Sequence, residues 1–185
     1  MLSLALIPVF LICAVVFWMR GLWNTMLIIV LVLFSGLLSI NYYEPLARLV
    51  AEQAPDLQKF VDFAVLWVLF LTFLGILWSL RFLFSRQRVE FIMPIEMAGR
   101  TVMALWCAWL ITGFAAMTLH TAPIGANPLG AFDSPTDAKL FYGADRQWLA
   151  LMQSRSSGAL TRWETKEFDP ESSFILKYYH RRSGS

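Results

Sequence analysis

The sequence predicts an all-α membrane protein with four transmembrane helices, arranged as two antiparallel hairpins and followed by a small, mostly helical tail. Of its 185 residues, 58% are hydrophobic and only 15% are charged, which is too apolar for an ordinary soluble domain. Four apolar runs approach the 20 residues that cross a hydrocarbon layer of about 30 Å. Proline and glycine become more frequent in the last third, where acidic and basic residues alternate almost evenly. We therefore predict a membrane domain over residues 1–120 and an extramembrane tail over 121–185.

The first two predicted spans cover about residues 2–19 and 22–40, and Arg20 and Gly21 join them. Tryptophans flank this pair on both sides, and indole rings favour the headgroup region, so the turn is expected at a membrane surface. So short a connection predicts that the two helices are antiparallel neighbours. Near the end of the second span Ser35 and Gly36 are small enough to let another helix approach closely.

Residues 41–59 are expected to leave the membrane as a short amphipathic helix on its surface. Tyr43 and Pro45 mark the corner, because proline suits the first turn of a helix. Pro55 is expected to end this helix. Charged residues recur at every fourth position, as on a helix face that is exposed to solvent: Glu44, Arg48 and Glu52.

The third predicted span covers about residues 61–80, and the small or polar side chains of Thr72, Gly75 and Ser79 lie along one side of it. The stretch 81–100 mixes arginines with large apolar side chains, which is typical of a segment at the lipid headgroups. These arginines fit general anchoring of the chain on the cytoplasmic side, and recognition of a specific anionic lipid is the alternative. This stretch ends with Gly99 and Arg100.

The fourth predicted span covers about residues 101–119. Ala104, Ala108 and Thr112 recur every four residues and form a flat face that suits tight packing. Trp106 and Trp109 are expected to face lipid or a partner. The histidine at the exit of the span, His120, is expected to be solvated at the interface rather than to act as a ligand.

The tail contains two predicted helices. One starts at Ser134–Asp137, where a serine cap, a proline and an acid follow one another, and it ends near Gly143. The second covers about residues 145–155 and places Trp148, Leu151 and Met152 on one face. A tail this rich in aromatic residues is expected to dock on the membrane domain, on itself or on a partner.

Arginine and lysine favour cytoplasmic loops, which predicts the orientation of the chain. Arg20 lies between the first two spans and four arginines lie between the last two, whereas the middle loop is rich in acids. This distribution predicts a cytoplasmic location for the arginine-rich loops and a periplasmic location for both termini.

The sequence lacks the residue patterns of common active sites. The centres of the four spans contain no carboxylate, lysine or histidine, which argues against an ion-coupled transporter. There are only two histidines, and no serine-hydrolase, zinc-protease or phosphate-loop motif is present. Cys13 and Cys107 lie within apolar runs and fit packing roles. We expect no enzyme activity, cofactor or metal, no nucleic acid at a net charge of +2, and we identify no small-molecule substrate.

Several short motifs in residues 1–122 resemble the colicin V production (CvpA) family. They are the Arg20-Gly21 turn, the Tyr42-Tyr43 pair with the Pro45-Leu46-Ala47 corner, the phenylalanine-rich third span and the Gly99-Arg100 entry to the fourth. The resemblance implies a bacterial inner-membrane protein of four helices that is linked to export of a peptide toxin and to envelope maintenance. It implies no enzymatic reaction and no catalytic residue.

The leading functional hypothesis is a non-enzymatic scaffold or accessory subunit for toxin or peptide export or envelope maintenance. A small self-associating channel or exporter is the alternative. The expected partners are the lipid bilayer, a second copy of the chain, or other membrane and envelope proteins. We assign turn and packing roles, and no catalytic role, to twelve residues: Arg20, Gly21, Ser35, Gly36, Tyr43, Pro45, Gly75, Gly99, Arg100, Ala104, Ala108 and Thr112.

Overall fold

The protein is all-α with four long apolar helices, as predicted. The computed structural model describes residues 2–53, 58–84, 91–122, 140–156, 168–169 and 173–183, and all regular secondary structure within these ranges is helical. The helices are α1 (Leu2–Arg20), α2 (Leu22–Gln53), α3 (Gln58–Phe84), α4 (Met93–Thr121), α5 (Ala144–Ser156) and α6 (Phe174–Ser183), with a 3-10 turn at Phe141–Gly143. Because α1 to α4 are each long and apolar enough to cross a membrane, the chain is a multi-pass membrane protein.

Helix α2 continues without a break through Pro45 to Gln53, so the predicted separate surface helix beginning at Pro45 is wrong. The residues on either side of the proline explain this. Tyr43 and Ala47 are only 2% and 5% exposed and belong to the main hydrophobic core, whereas Pro45 itself is exposed. Burial of the flanking side chains offsets the backbone hydrogen bond that a proline removes from a helix interior. Pro55 lies outside the described residues.

Helix α4 begins at Met93, well before the start of the predicted span. A proline in its first turn suits a helix start, because its missing N–H needs no partner there. Glu96 and Arg100 lie one turn apart and form an ion pair of 2.6 Å. The segment from Met93 to Arg100, which was expected at the lipid headgroups, therefore forms the first two turns of α4. A side chain at Gly99 would lie 2.9 Å from Leu22 of α2, so these two helices start in close contact.

The main packing partners differ from the two predicted hairpins. Helices α2 and α3 pack closely, but α1 packs along α4 and touches α2 only sparsely. The pairing of α1 with α4 is antiparallel: Trp18 donates a hydrogen bond to Thr101 at one end (3.3 Å), and Leu6 packs with Ala116 at the other. Gly21 makes this possible, because its φ of +82° turns the chain within one residue.

Helices α2 and α4 form the centre of the bundle, and α1 and α3 lie on its outside. About half of the apolar span is buried within the chain in α2 and α4, against 6% in α1 and 22% in α3. Aromatic rings fill the space between α3 and α4: Phe70 stacks on Phe114 with ring centroids 4.1 Å apart, and Trp67 contacts Phe114 edge to face. Helices α1 and α3 therefore present most of their surface to lipid.

The tail helices pack on the bundle at the end where α1 begins. The predicted second tail helix is confirmed as α5, which lies against α4 and α2. Helix α6 was not predicted, and Asp169 caps its start by accepting hydrogen bonds from the backbone N–H groups of Ser173 and Phe174. The predicted helix start at Ser134–Asp137 lies outside the described residues, and the described part before Gly143 is a 3-10 turn.

Candidate functional site: the seat of helix α5

Two glycines create a recess for α5 on the face that α2 and α4 share. A Cβ atom on Gly36 would lie 2.5 Å from Trp148 Cζ2, a distance that van der Waals repulsion forbids. A Cβ atom on Gly113 would lie 3.0 Å from the backbone oxygen of Ala144. Helix α5 approaches this closely because both positions lack a side chain. We call this recess and its contacts the α5 seat.

Trp148 is the side chain that fills the seat. It is 2% exposed and contacts Phe114 edge to face, with ring centroids 5.7 Å apart. Met152, one turn further along α5, is also buried in the same core. Gly36 and Gly113 both lie within the predicted spans of α2 and α4. Helix α5 therefore packs against the part of the bundle that is predicted to span the membrane.

A buried pair of ionisable side chains lies beside Trp148. His120 Nε2, in the last turn of α4, and Asp145 Oδ2, in the first turn of α5, are 2.9 Å apart, and neither side chain is exposed to solvent. A buried carboxylate needs such a partner, because losing its hydration costs several kcal/mol. The expectation of a solvated His120 is wrong because the tail folds back over the end of α4.

Two further contacts bring the tail close to α1 and α4. Trp109 donates a hydrogen bond to Gln147 Oε1 (2.9 Å), and the backbone N–H of Phe141 donates one to Ser3 Oγ (3.2 Å). The Phe141 ring also packs against Phe10 of α1. The polar end of Trp109, which was expected to face lipid or a partner, thus contacts the chain's own tail.

Helix α6 attaches to the bundle at a second point. Tyr178 donates a hydrogen bond to Asp62 Oδ2 of α3 (3.0 Å), and Lys177 Nζ lies 3.2 Å from Glu44 Oε1 of α2. These residues line a small polar cavity of about 130 Å³ together with Tyr43. Burial, and then the neighbouring Tyr43 and Asp62, raise the pKa of Tyr178 well above its usual value. Tyr178 is therefore a protonated donor throughout the physiological pH range.

The predicted packing residues separate into four locations. Those on α2 and α4 are buried inside the bundle, with Gly36 in the α5 seat; they are Ser35, Gly36, Ala104, Ala108 and Thr112. Tyr43 is buried beside α6 and the neighbouring Pro45 is exposed. Arg20, Gly21, Gly99 and Arg100 lie together at the opposite end of the bundle, where Gly21 approaches Glu96 and Arg100. Gly75 faces outward from α3.

Two residues of the seat, Asp145 and Gly113, received no role from the sequence, and His120 was expected only as a solvated side chain. The sequence does contain one signal that Asp145 is buried. Asp145, Trp148 and Met152 are spaced by three and four residues, so an acid occupies the apolar face of a predicted helix. An acid in that position needs a buried partner, and His120 is the nearest histidine in sequence.

The chemistry available at the seat is that of an internal hydrogen bond. The described parts of the chain contain no group of three or more His, Cys, Asp or Glu side chains that would hold a metal ion. Neither side chain of the pair is exposed to solvent. The His120–Asp145 pair therefore holds α5 on α4.

Comparison with known proteins identifies no related family and no related fold. The chain matches no family model, no curated protein and no solved structure. Its function is therefore argued from the sequence pattern and from the arrangement of its own helices.

Proposed function

We propose that this chain is a non-enzymatic scaffold or accessory subunit of the bacterial inner membrane, with a role in peptide export or envelope maintenance. In this role it binds a membrane helix of a partner protein along the outer face of α3. The observation that carries this proposal is a groove on that face, centred on Gly75. The motifs that resemble the CvpA family support the assignment to export or envelope maintenance.

The groove is formed by small side chains between larger ones. Its volume is about 630 Å³, and a Cβ atom on Gly75 would meet nothing within 4 Å. Ser79 turns its hydroxyl inward and donates a hydrogen bond to the backbone oxygen of Gly75 (2.9 Å), which leaves an apolar surface. The lining residues are Leu71, Thr72, Gly75, Ile76, Ser79 and Leu80.

The α5 seat indicates what such a groove accommodates. At Gly36 the same kind of gap between larger side chains receives the indole of Trp148. Membrane helices associate through close packing of this kind, because lipid supplies no hydrophobic force that drives them together. The groove at Gly75 therefore suits a partner helix that carries a large apolar side chain.

Site-specific photo-crosslinking in intact cells tests this proposal. A photoreactive phenylalanine analogue replaces Ile76 in the groove, and the matched control carries the same analogue at Ile12, an exposed isoleucine on α1. We expect a discrete protein adduct from position 76 and none from position 12. The substitution Gly75→Leu, which fills the groove, is expected to abolish this adduct.

The mass of the adduct separates the two functional hypotheses. An adduct with a different membrane protein supports the scaffold and identifies its partner. An adduct with twice the mass of the chain assigns the groove to a second copy and favours the self-associating channel. Equal adducts at positions 76 and 12, or none at either, would refute a partner-binding groove.

A further inference from the structure

Two arginines share one tryptophan at the end of the bundle opposite the tail. The guanidinium carbon of Arg20 lies 5.2 Å from the ring centroid of Trp78, and that of Arg81 lies 4.4 Å from it. Both distances are within the range of a cation–π interaction. Arg20 is the last residue of α1, while Trp78 and Arg81 belong to the end of α3. Two positive charges from different helices are thus held at one indole.

This cluster lies at the level expected for lipid headgroups. Arg20 is exposed and directly follows the apolar span of α1, and Arg81 directly follows the apolar residues of α3. Trp18 and Trp23 lie on either side of the same turn, and tryptophans are enriched at this depth of a bilayer. An anion that approaches the cluster from the membrane side is therefore a phospholipid headgroup.

A third arginine at the same end shows what distinguishes Arg20. Arg100 also lies over an indole, 5.5 Å from Trp18, but its guanidinium is 2.6 Å from the carboxylate of Glu96. Arg20 forms no ion pair with any carboxylate in the described part of the chain. Its charge is thus held beside that of Arg81 without a carboxylate of its own.

We propose that Arg20 and Arg81 bind the phosphate of an anionic phospholipid, with Trp78 holding both guanidinium groups in place. Guanidinium groups present planar forks of N–H donors that match phosphate oxygens. Basic sites of this kind between membrane helices recognise anionic lipid headgroups. The acyl chains lie along the outer surfaces of α1 and α3, which are the least buried of the four spans. Lipid binding at this cluster does not require a partner helix in the groove at Gly75.

Native mass spectrometry of the detergent-purified full-length chain tests the site. The chain is titrated with phosphatidylglycerol, with phosphatidylcholine and with glycerol 3-phosphate, and the apparent dissociation constant is measured for each. We expect one phosphatidylglycerol to bind at least ~10-fold more tightly than phosphatidylcholine, because each basic contact with anionic lipid contributes about 1 kcal/mol. Equal binding of the two lipids, or equally tight binding of glycerol 3-phosphate, would overturn the proposal.

Matched charge removals distinguish a built site from general attraction. Arg20→Gln is expected to weaken phosphatidylglycerol binding by ~5-fold and the double variant with Arg81→Gln by ~10- to 30-fold. Two control variants each remove one positive charge elsewhere. Arg100→Gln removes it at the same end of the bundle, and Arg48→Gln removes it at the opposite end. Both controls are expected to leave the affinity within twofold. If Arg100→Gln weakens binding as much as Arg20→Gln, the lipid responds only to net charge and the site is refuted.

A conservative variant keeps the test informative where the glutamine substitutions impair folding. Arg20→Lys with Arg81→Lys retains both charges but replaces the planar forks by point charges. We expect the affinity for phosphatidylglycerol to fall by ~3-fold. It should then lie between the affinity of the original chain and that of the double glutamine variant. Unchanged affinity would contradict the proposed role of the guanidinium groups.

Discussion

Gly36 and Gly75 each lie among small side chains of a membrane-spanning helix, but their surroundings differ completely. At Gly36 the indole of Trp148 lies so close that a Cβ atom would be 2.5 Å from it, whereas a Cβ atom at Gly75 would meet nothing within 4 Å. The first gap is filled by the chain's own tail, and the second faces outward from the bundle. Small residues in a membrane helix therefore mark where close approach is possible, and the rest of the fold decides what approaches.

The filled gap also has a polar element that the open one lacks. The His120–Asp145 hydrogen bond joins α4 to α5 beside Trp148 and is closed to solvent. At Gly75 the nearby hydroxyl of Ser79 bonds to its own helix. We infer that this buried pair holds α5 in its seat.

The largest effect is expected when one member of the buried pair is removed. The substitution His120→Leu leaves the Asp145 carboxylate buried without its partner, which costs about 3–5 kcal/mol. Helix α5 should then leave the seat, so that Gly36 loses its contact with Trp148 and becomes open, as Gly75 is. Thermal unfolding in detergent, together with protease sensitivity of the tail in membranes, measures this.

A double variant provides the control. His120→Leu with Asp145→Leu replaces the pair by apolar side chains and should recover most of the lost stability, because apolar replacement of both partners of a buried hydrogen bond can be nearly neutral or stabilising. If His120→Leu alone unfolds at the same temperature as the original chain, the pair does not hold the seat.

A smaller effect is expected from filling the two gaps with the same side chain. Gly36→Leu forces Trp148 out of place and should cost about 1–3 kcal/mol, as overpacking does in tight cores. Gly75→Leu meets no neighbour within the chain, and it should raise stability by up to about 1 kcal/mol because leucine favours a helix over glycine. Melting temperatures of both variants in one detergent test the comparison. Equal losses at both positions would show that Gly75 is also packed.

The smallest effect concerns the second attachment of the tail, through α6. Because the pKa of Tyr178 is raised in the folded chain above the usual value of about 10, its contribution is complete below pH 10 and is lost as the pH rises above it. The melting temperature should therefore fall as the pH rises above about 10. Tyr178→Phe should cost about 0.5–1.5 kcal/mol at pH 8 through the lost hydrogen bond to Asp62, and should flatten this alkaline decline. An identical decline in the variant would assign it to other groups.

The number and type of the helices were predictable, because a long apolar run has few other stable structures in a membrane. The helix boundaries were harder to predict. Helix α2 continues through Pro45 because Tyr43 and Ala47 are buried on either side of it. The face formed by Ala104, Ala108 and Thr112 was recognised from its spacing, but the nearby His120 was expected in solvent. Its true environment depends on a contact with Asp145 across a long stretch of chain, which no local pattern specifies.

The pairing of α1 with α4 has a consequence for biosynthesis. Helix α1 is made first, yet its main packing partner is the last of the four spanning helices to leave the ribosome. Until then α1 is connected through Gly21 to a helix that it barely touches. It must therefore wait in the lipid, or against the insertion machinery, while α2 and α3 are added. Completion of the bundle is thus a late, post-insertion event.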